Sequence, residues 1–283
     1  MQDISVPGRF AQAHAVSGDG TVVVGQGDPD GGGDGAFRWT QAGGMVRLTM
    51  PPGWYGSSAE GVSADGSVVA GLASNVQDGG GRAFRWTNAG VGGGTVEILG
   101  TLPTTCDPSY AESVGGISAD GSVIAGDSTI DSASCNGHAF RWISDGLGGG
   151  TIEDLGVLPY QYASQSVSYG LSANGAVVVG QGDTDDYPQA FRWTSATGMQ
   201  DIGLALTGSI SHPSFASGAN ADGSVVVGYY DSVAFHDDRP LLWTTALGSV
   251  DLQEHLASLG VDTTEWSLQF AQGVSADGLT IVG

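Results

Sequence analysis

A ten-residue pattern, V-S-A-D-G-S-V-V-A-G at Val62 to Gly71, recurs six times along the chain and leaves few folds open. The copies run Val16 to Gly25, Val62 to Gly71, Ile117 to Gly126, Leu171 to Gly180, Ala219 to Gly228 and Val274 to Gly283. Asp-Gly between two apolar runs is the strongest short-range hairpin signal, because a two-residue type I′ turn needs positive φ at both central positions. The turn acids are Asp19, Asp65, Asp120, Asp222 and Asp277, with Asn174 as the one substitute that supports the same turn. Each copy therefore predicts a β-hairpin whose second strand ends on glycine.

Two further blocks follow each hairpin in fixed order. The first is A-F-R-W-T at Ala36, Ala83 and Ala190 and A-F-R-W-I at Ala139, degraded to P-L-L-W-T at Pro240. It carries Trp39, Trp86, Trp142, Trp193 and Trp243, and Arg38, Arg85, Arg141 and Arg192. The second is a short apolar run at Met45, Val96, Ile152, Met199 and Val250. Aromatic and β-branched runs bounded by glycines read as strands. One repeat is thus strand, turn, strand, loop, A-F-R-W strand, Gly-rich turn, strand. Successive turn acids lie 46 to 55 residues apart, about the size of a four-stranded propeller blade. Blades packed face to face cover both sides of each strand, which suits V-V-V runs better than alternation.

The expected fold is all-β: a single β-propeller over residues 1–283, with hairpins starting near 15, 61, 116, 170, 218 and 273. It has five full repeats and a split, incomplete sixth. M-Q-D-I at Met1 repeats Met199 to Ile202, so the chain opens on a fourth strand and stops at Gly283 after two strands of a sixth repeat. Strands from both ends would close the ring and cover its sheet edges. The missing A-F-R-W strand predicts a chain cut from a longer protein, with a monomer as the expected state.

His138-Ala139-Phe140-Arg141-Trp142, with Asp154-Leu155-Gly156-Val157-Leu158 after it, resembles the HAF repeat family. The other copies place Gly35, Arg82 and Gln189 at the His position, and Leu99 to Leu102 matches the linker more loosely. The resemblance spans essentially the whole chain and implies a secreted or surface-attached bacterial β-propeller. The family offers no established activity or catalytic residues to carry over.

Composition narrows the partners. The chain has 30 acidic and 8 basic residues, a net charge of −22, and no Lys among its cations. That sign repels phosphate backbones and anionic membranes, so nucleic acid is excluded as a partner. No apolar run approaches the roughly 18 residues a membrane span needs, and the first residues lack the regions of a signal peptide. An extracellular or cell-surface location then requires an export signal outside this chain.

Several residues are candidates for chemistry. Cys106 and Cys135 fall in loops expected on one face, and a disulfide closing about 30 residues would add roughly 3–4 kcal/mol in the chain-entropy treatment. Asp28, Asp30 and Asp34 in G-D-P-D-G-G-G-D-G resemble the first half of a calcium loop, without its closing Glu. Calcium is the one candidate cofactor; the alternative is a solvated acidic loop. Similar loops hold Asp127 and Asp131, Asp183, Asp185 and Asp186, and Asp231, Asp237 and Asp238, so carboxylate pairs abound without singling one out for glycoside hydrolysis. Phe10, Tyr55, Tyr110, Tyr162, Phe215 and Phe270 are read as one repeated position packing between blades. Trp54, Tyr160 and Trp266 fall outside it and are the candidate ligand platforms. The A-F-R-W arginines need partners, and the fourth-strand acids Asp154 and Asp201 are candidates for Arg141 and Arg192. The five His show no metal spacing.

Every strong motif is accounted for by scaffold. The sequence therefore favours a non-catalytic module presenting one loop face to a glycan, protein or cation. The competing classes are a carbohydrate-active hydrolase or lyase using rim carboxylates, and a purely structural surface protein.

Overall fold

The structure is a computed structural model and describes residues 4, 8–76, 80–89, 93–103, 111–130, 136–203, 212–232 and 237–283. It divides into two compact units, Met1–Asp154 and Leu155–Gly283.

The first unit holds three antiparallel four-stranded meanders. They are β1 (Ala11–Val16), β2 (Val22–Gly27), β3 (Gly35–Thr40) and β4 (Gly44–Arg47); β5 (Trp54–Val62), β6 (Val68–Asn75), β7 (Gly81–Asn88) and β8 (Gly94–Ile98); and β9 (Ala111–Ile117), β10 (Val123–Thr129), β11 (Gly137–Ser144) and β12 (Gly150–Asp154). The second unit holds two more, β13 (Ser166–Leu171) to β16 (Gly198–Asp201) and β17 (Ser214–Ala219), β18 (Val225–Ser232), β19 (Asp237–Thr244) and β20 (Gly248–Asp251). A helix, α1 (Leu252–Ser258), and a two-stranded sheet of β21 (Gly273–Val274) and β22 (Ile281–Val282) complete it. The four-strand repeat is as the sequence predicts. The proposed N-terminal strand of the sixth repeat falls mostly on residues 1–3, outside the described residues.

The helix has no counterpart in the sequence reading, which ended that repeat on a strand. Its signal is local: Asp251 caps the helix, accepting from the Glu254 N–H at 2.8 Å, and Glu254 adds an acid to the first turn.

The hairpin turn is longer than a two-residue type I′ turn. Val16 pairs with Val23, and the Ser17 N–H donates to the Val22 carbonyl at 2.9 Å, enclosing four residues. Within the loop the Gly20 N–H donates to the Ser17 carbonyl, and Gly20 takes φ +72°. Asp19 is there as an acceptor: its Oδ1 receives the Ser17 hydroxyl at 2.6 Å and the Thr21 N–H at 3.0 Å. The Ser17 hydroxyl in turn accepts from the buried Val22 N–H. The same set recurs at Ser63 and Asp65, Ser118 and Asp120, and Ser275 and Asp277. Asn174 fits because its amide oxygen accepts as the carboxylate does. Where Ser is replaced by Asn220, the amide oxygen accepts from Val225 N–H at 3.0 Å.

These turns also join neighbouring sheets within each unit. Asp19 N–H donates to Ala64 carbonyl and Ala64 N–H to Ala119 carbonyl in the first unit; Asn174 to Ala221 and Ala221 to Ala276 do so in the second. The turn glycine presses on the preceding sheet. A Cβ on Gly66 would lie 2.3 Å from Val22 Cγ2, one on Gly121 2.6 Å from Val68 Cβ, and one on Gly223 2.3 Å from Val177 Cγ2. Positive φ and this close approach both demand glycine.

The core follows from the A-F-R-W strand. Phe37, Phe84, Phe140 and Phe191 are fully buried, each opposite the glycine that closes the ten-residue pattern, as in Gly71 with Phe84; the second strand does not end there, as the sequence predicts, but runs on for two to four residues. A side chain there would strike the ring: a Cβ on Gly126 lies 2.8 Å from Phe140 Cζ. The final glycine of the ten-residue pattern is thus the socket of the core phenylalanine.

Candidate functional site

The repeated arginines bridge successive sheets. Arg38 Nε donates to Gly66 carbonyl at 3.2 Å, Arg85 to Gly121 at 3.0 Å and Arg192 to Gly223 at 3.0 Å. Their guanidinium groups lie over the tryptophan of the following A-F-R-W strand, with Arg38 5.9 Å from Trp86, Arg85 5.9 Å from Trp142 and Arg192 5.0 Å from Trp243. The expected pairing with Asp154 and Asp201 does not form. In the ladder Asp154 stands opposite Phe140 and Glu153 opposite Arg141, so the acid one residue on points to the other face. Arg141 therefore meets Glu153 at 2.8 Å, Asp154 takes His138 at 2.9 Å, and Asp201 takes the Tyr160 hydroxyl at 2.7 Å.

The acidic loop after β2 is occupied by arginine. Arg47 Nη2 lies 2.6 Å from Asp30 Oδ1 and 3.3 Å from Asp28 Oδ1, and Arg9 Nη1 lies 3.0 Å from Asp28 Oδ2. Arg47 holds the Asp30 carboxyl far below the usual carboxylate range. Asp34 stands near enough to raise the Arg47 pKa through its charge. Asp28 and Asp30 are turned onto cations already present, and among the described residues no three His, Cys, Asp or Glu are grouped to hold a metal. Cys106, Cys135, Tyr110 and Asp131 lie outside the described residues.

The aromatic candidates separate. Trp54 packs against the core cluster of Val22, Leu48 and Phe84. Tyr160 is half-buried, and its bond to Asp201 pushes its pKa up to about 12. Trp266 is 71% exposed and lines a groove with Leu252, Leu256 and Phe270. The six aromatics read as one repeated position are not equivalent in register. Phe215 pairs with Tyr229 four residues before the ten-residue pattern opens, whereas Tyr55 pairs with Ser74 seven residues before it. The spacing to that pattern runs from four residues at Phe215 and Phe270 to nine at Tyr162, so the six do not share one register position, and the first strand of each full sheet also carries an extra residue.

That extra residue is a β-bulge recurring in the first strand of all five full sheets. The register skips His14, Glu60, Gly115, Tyr169 and Ser217, each two residues before the apolar residue that opens the ten-residue pattern; Gln272 holds the corresponding place in the sixth repeat. Ala59 and Gly61 around Glu60, and Ser168 and Gly170 around Tyr169, are buried, while the bulged residues in all five sheets are half-buried or exposed. Bulges re-aim a side chain out of the ladder. First strands of successive sheets lie beside one another within each unit, so the bulged residues come together. In the first unit His14 Nδ1 is 3.1 Å from Glu60 Oε2. In the second, Tyr169, Ser217 and Gln272 share a cavity of about 430 Å³ with Phe215 and Tyr229.

Tyr169 and Tyr229, which the sequence reading did not single out, thus belong to an aromatic cluster. Phe215 stacks on Tyr229 at 4.5 Å and 12°, Phe270 meets Tyr229 edge-on at 5.0 Å, and Tyr169 lies 6.4 Å from Phe215. The signal of Tyr169 in the sequence is variation, since the bulged position changes from repeat to repeat; Tyr229 stands in the ladder opposite Phe215 and carries no such mark.

No protein-family model matches the chain, and no curated protein matches it. Solved structures do. The β-propeller domain of the Trilobed protease from Pyrococcus furiosus is 7% identical, with a TM-score of 0.53 over 88% of this chain and 73% of its own. A TolB from Agrobacterium tumefaciens, itself described as putative, is 16% identical, with a TM-score of 0.53 over 88% of this chain and 82% of its own. An oligogalacturonate lyase in complex with manganese is 13% identical, with a TM-score of 0.52 over 87% of this chain and 64% of its own. Across the matched structures the chain spans from about a third to four-fifths of the other protein's length. No helix among the described residues is long and apolar enough to cross a membrane. At these identities the likeness fixes architecture alone, and the chain is an all-β protein of the β-propeller fold.

Proposed function

We propose that the chain is a non-catalytic, extracellular or cell-surface binding module that recognises its partner through the bulged first-strand residues that come together within each unit. The observation that supports this is the contrast between a uniform scaffold and one variable position. Ser, Asp, Gly, Phe, Arg and Trp of the repeat are all consumed by turns, core and sheet-to-sheet contacts. The bulged position carries His, Glu, Gly, Tyr, Ser and Gln in turn, with no scaffold contact in common. The placement outside the cytoplasm rests on the resemblance to HAF repeats. The test is a screen of the protein against immobilised glycans and surface proteins, with recovery of the ligand. Retention with the ligand recovered intact supports the reading; a consumed ligand refutes it.

A second reading has one observation in its favour. His14 and Glu60, 3.1 Å apart, are a ready acid–base pair, and a lyase shares the fold. A carbohydrate-active hydrolase or lyase would show turnover that His14→Ala abolishes while binding persists.

A further inference from the structure

The geometry points to the aromatic cleft of the second unit as a binding site for a pyranose ring of a neutral glycan. This deepens the binding reading above and rests on it.

The cleft is not a requirement of the fold. Phe215 and Tyr229 are cross-strand partners, and the equivalent pairs in the other sheets are Gln12 with Gln26, Ser58 with Leu72, Ser113 with Asp127 and Val167 with Gln181. Four sheets form without an aromatic pair there. Tyr169 likewise takes a place held elsewhere by His14, Glu60, Gly115 and Ser217. Aromatic residues have thus been gathered from two neighbouring sheets into one patch, with Phe270 of the following link edge-on to Tyr229, and with Tyr169 41% and Phe270 39% exposed to solvent.

The chemistry of the lining selects the ligand. Among the described residues its lining is Tyr169, Phe215, Ser217, Tyr229 and Gln272, three rings beside a hydroxyl and an amide and no charged side chain. A flat apolar surface bordered by neutral donors and acceptors matches a pyranose, which has an apolar C–H face and a hydroxylated edge. An anionic sugar finds no Arg in the lining and meets a chain of net charge −22. A cationic ligand finds no carboxylate there. The volume of about 430 Å³ lies within the roughly 300–1,000 Å³ of small-ligand sites, enough for one or two sugar rings.

The test is calorimetric titration of the intact chain with neutral hexasaccharides of β-linked glucose, mannose and xylose, and with an oligogalacturonate as the anionic control. At least one neutral hexasaccharide is expected to bind saturably and the anionic one not. Tyr169→Ala and Tyr229→Ala should each weaken that binding about tenfold, the loss of one aromatic ring of the lining. Tyr162→Ala, at an exposed tyrosine outside the cleft, should leave it unchanged. Ser217→Trp, which fills the cleft without removing a ring, should block binding, so the result does not hang on one variant's folding; each variant is melted as a control. Failure of all three neutral sugars, or binding of the anionic one alone, overturns the inference, and the wider screen above still decides the binding reading. Neutral binding that survives Tyr169→Ala and Ser217→Trp overturns the site and leaves the binding function standing.

Discussion

Gly20 and Gly66 occupy the same turn in successive repeats with nearly the same φ, +72° and +69°, yet they should respond very differently to alanine. Either substitution forces an L side chain into the left-handed region, at about 1–2 kcal/mol. At Gly20 the new methyl meets nothing within 4 Å among the described residues, so that penalty is the whole cost. At Gly66 the methyl would sit 2.3 Å from Val22 Cγ2 and 2.9 Å from its Cβ, in a buried contact between two sheets. Relieving it adds an overpacking cost of about 1–3 kcal/mol. Gly66→Ala should therefore destabilise by about 2–5 kcal/mol against about 1–2 for Gly20→Ala. Thermal melts by circular dichroism would read the gap at about 2–4 °C per kcal/mol for a unit of this size. Val22→Ala in the Gly66→Ala background should recover part of the excess, and the same pairing with Gly20→Ala should recover nothing. Equal losses at the two glycines would refute the argument that the turns lock one sheet to the next.

Two other outcomes follow from charge. The turn carboxylates Asp19, Asp65, Asp120, Asp222 and Asp277 are held below their ordinary 3.8 by hydrogen bonds from neighbouring hydroxyls and N–H groups, Asp65 at about 2. A depressed carboxyl contributes stability that is full above the unfolded value and lost as pH falls towards the folded one. Melting temperature should thus drop between about pH 4 and pH 2, and Asp→Asn at 19, 65 and 120 should flatten that drop, since Asn174 shows that the amide accepts equally; an unchanged slope would remove the turns from the acid response. Calcium and EDTA should leave the melt unmoved, because Arg47 and Arg9 already neutralise Asp28 and Asp30; a calcium-dependent rise would show those ion pairs yielding to a metal.

The strand order and the hairpins were legible because Asp-Gly, Phe and the terminal glycine recur at fixed spacing and each has one dominant structural use. The partners of those residues were less so. Ser17 and its equivalents looked like ordinary strand ends, although each hydroxyl closes the loop from both sides. Arg141 was matched to the wrong acid because a strand acid one residue away faces the opposite side, and only the ladder register reveals which is which. The bulge was hidden for the same reason. An inserted residue leaves no mark in hydrophobic alternation, and Phe215 and Tyr55 were grouped by residue type although they stand four and seven residues before the pattern. The cleft joins residues 169, 215, 217, 229 and 272, and no local pattern links positions so far apart.

The bulge also bears on how such a chain can change over generations. Its residue has no ladder partner, and the residues on either side of it keep the strand in register. Replacing His14 by Glu, Gly, Tyr, Ser or Gln is an exchange the same backbone already tolerates in its other repeats. Mutations there escape the usual conflict in which a gain in recognition is offset by a loss in folding. Duplication of the repeat multiplies that freedom, since each new sheet adds one more such position. The architecture therefore works as an alphabet: one invariant frame per letter, and one letter per frame open to selection.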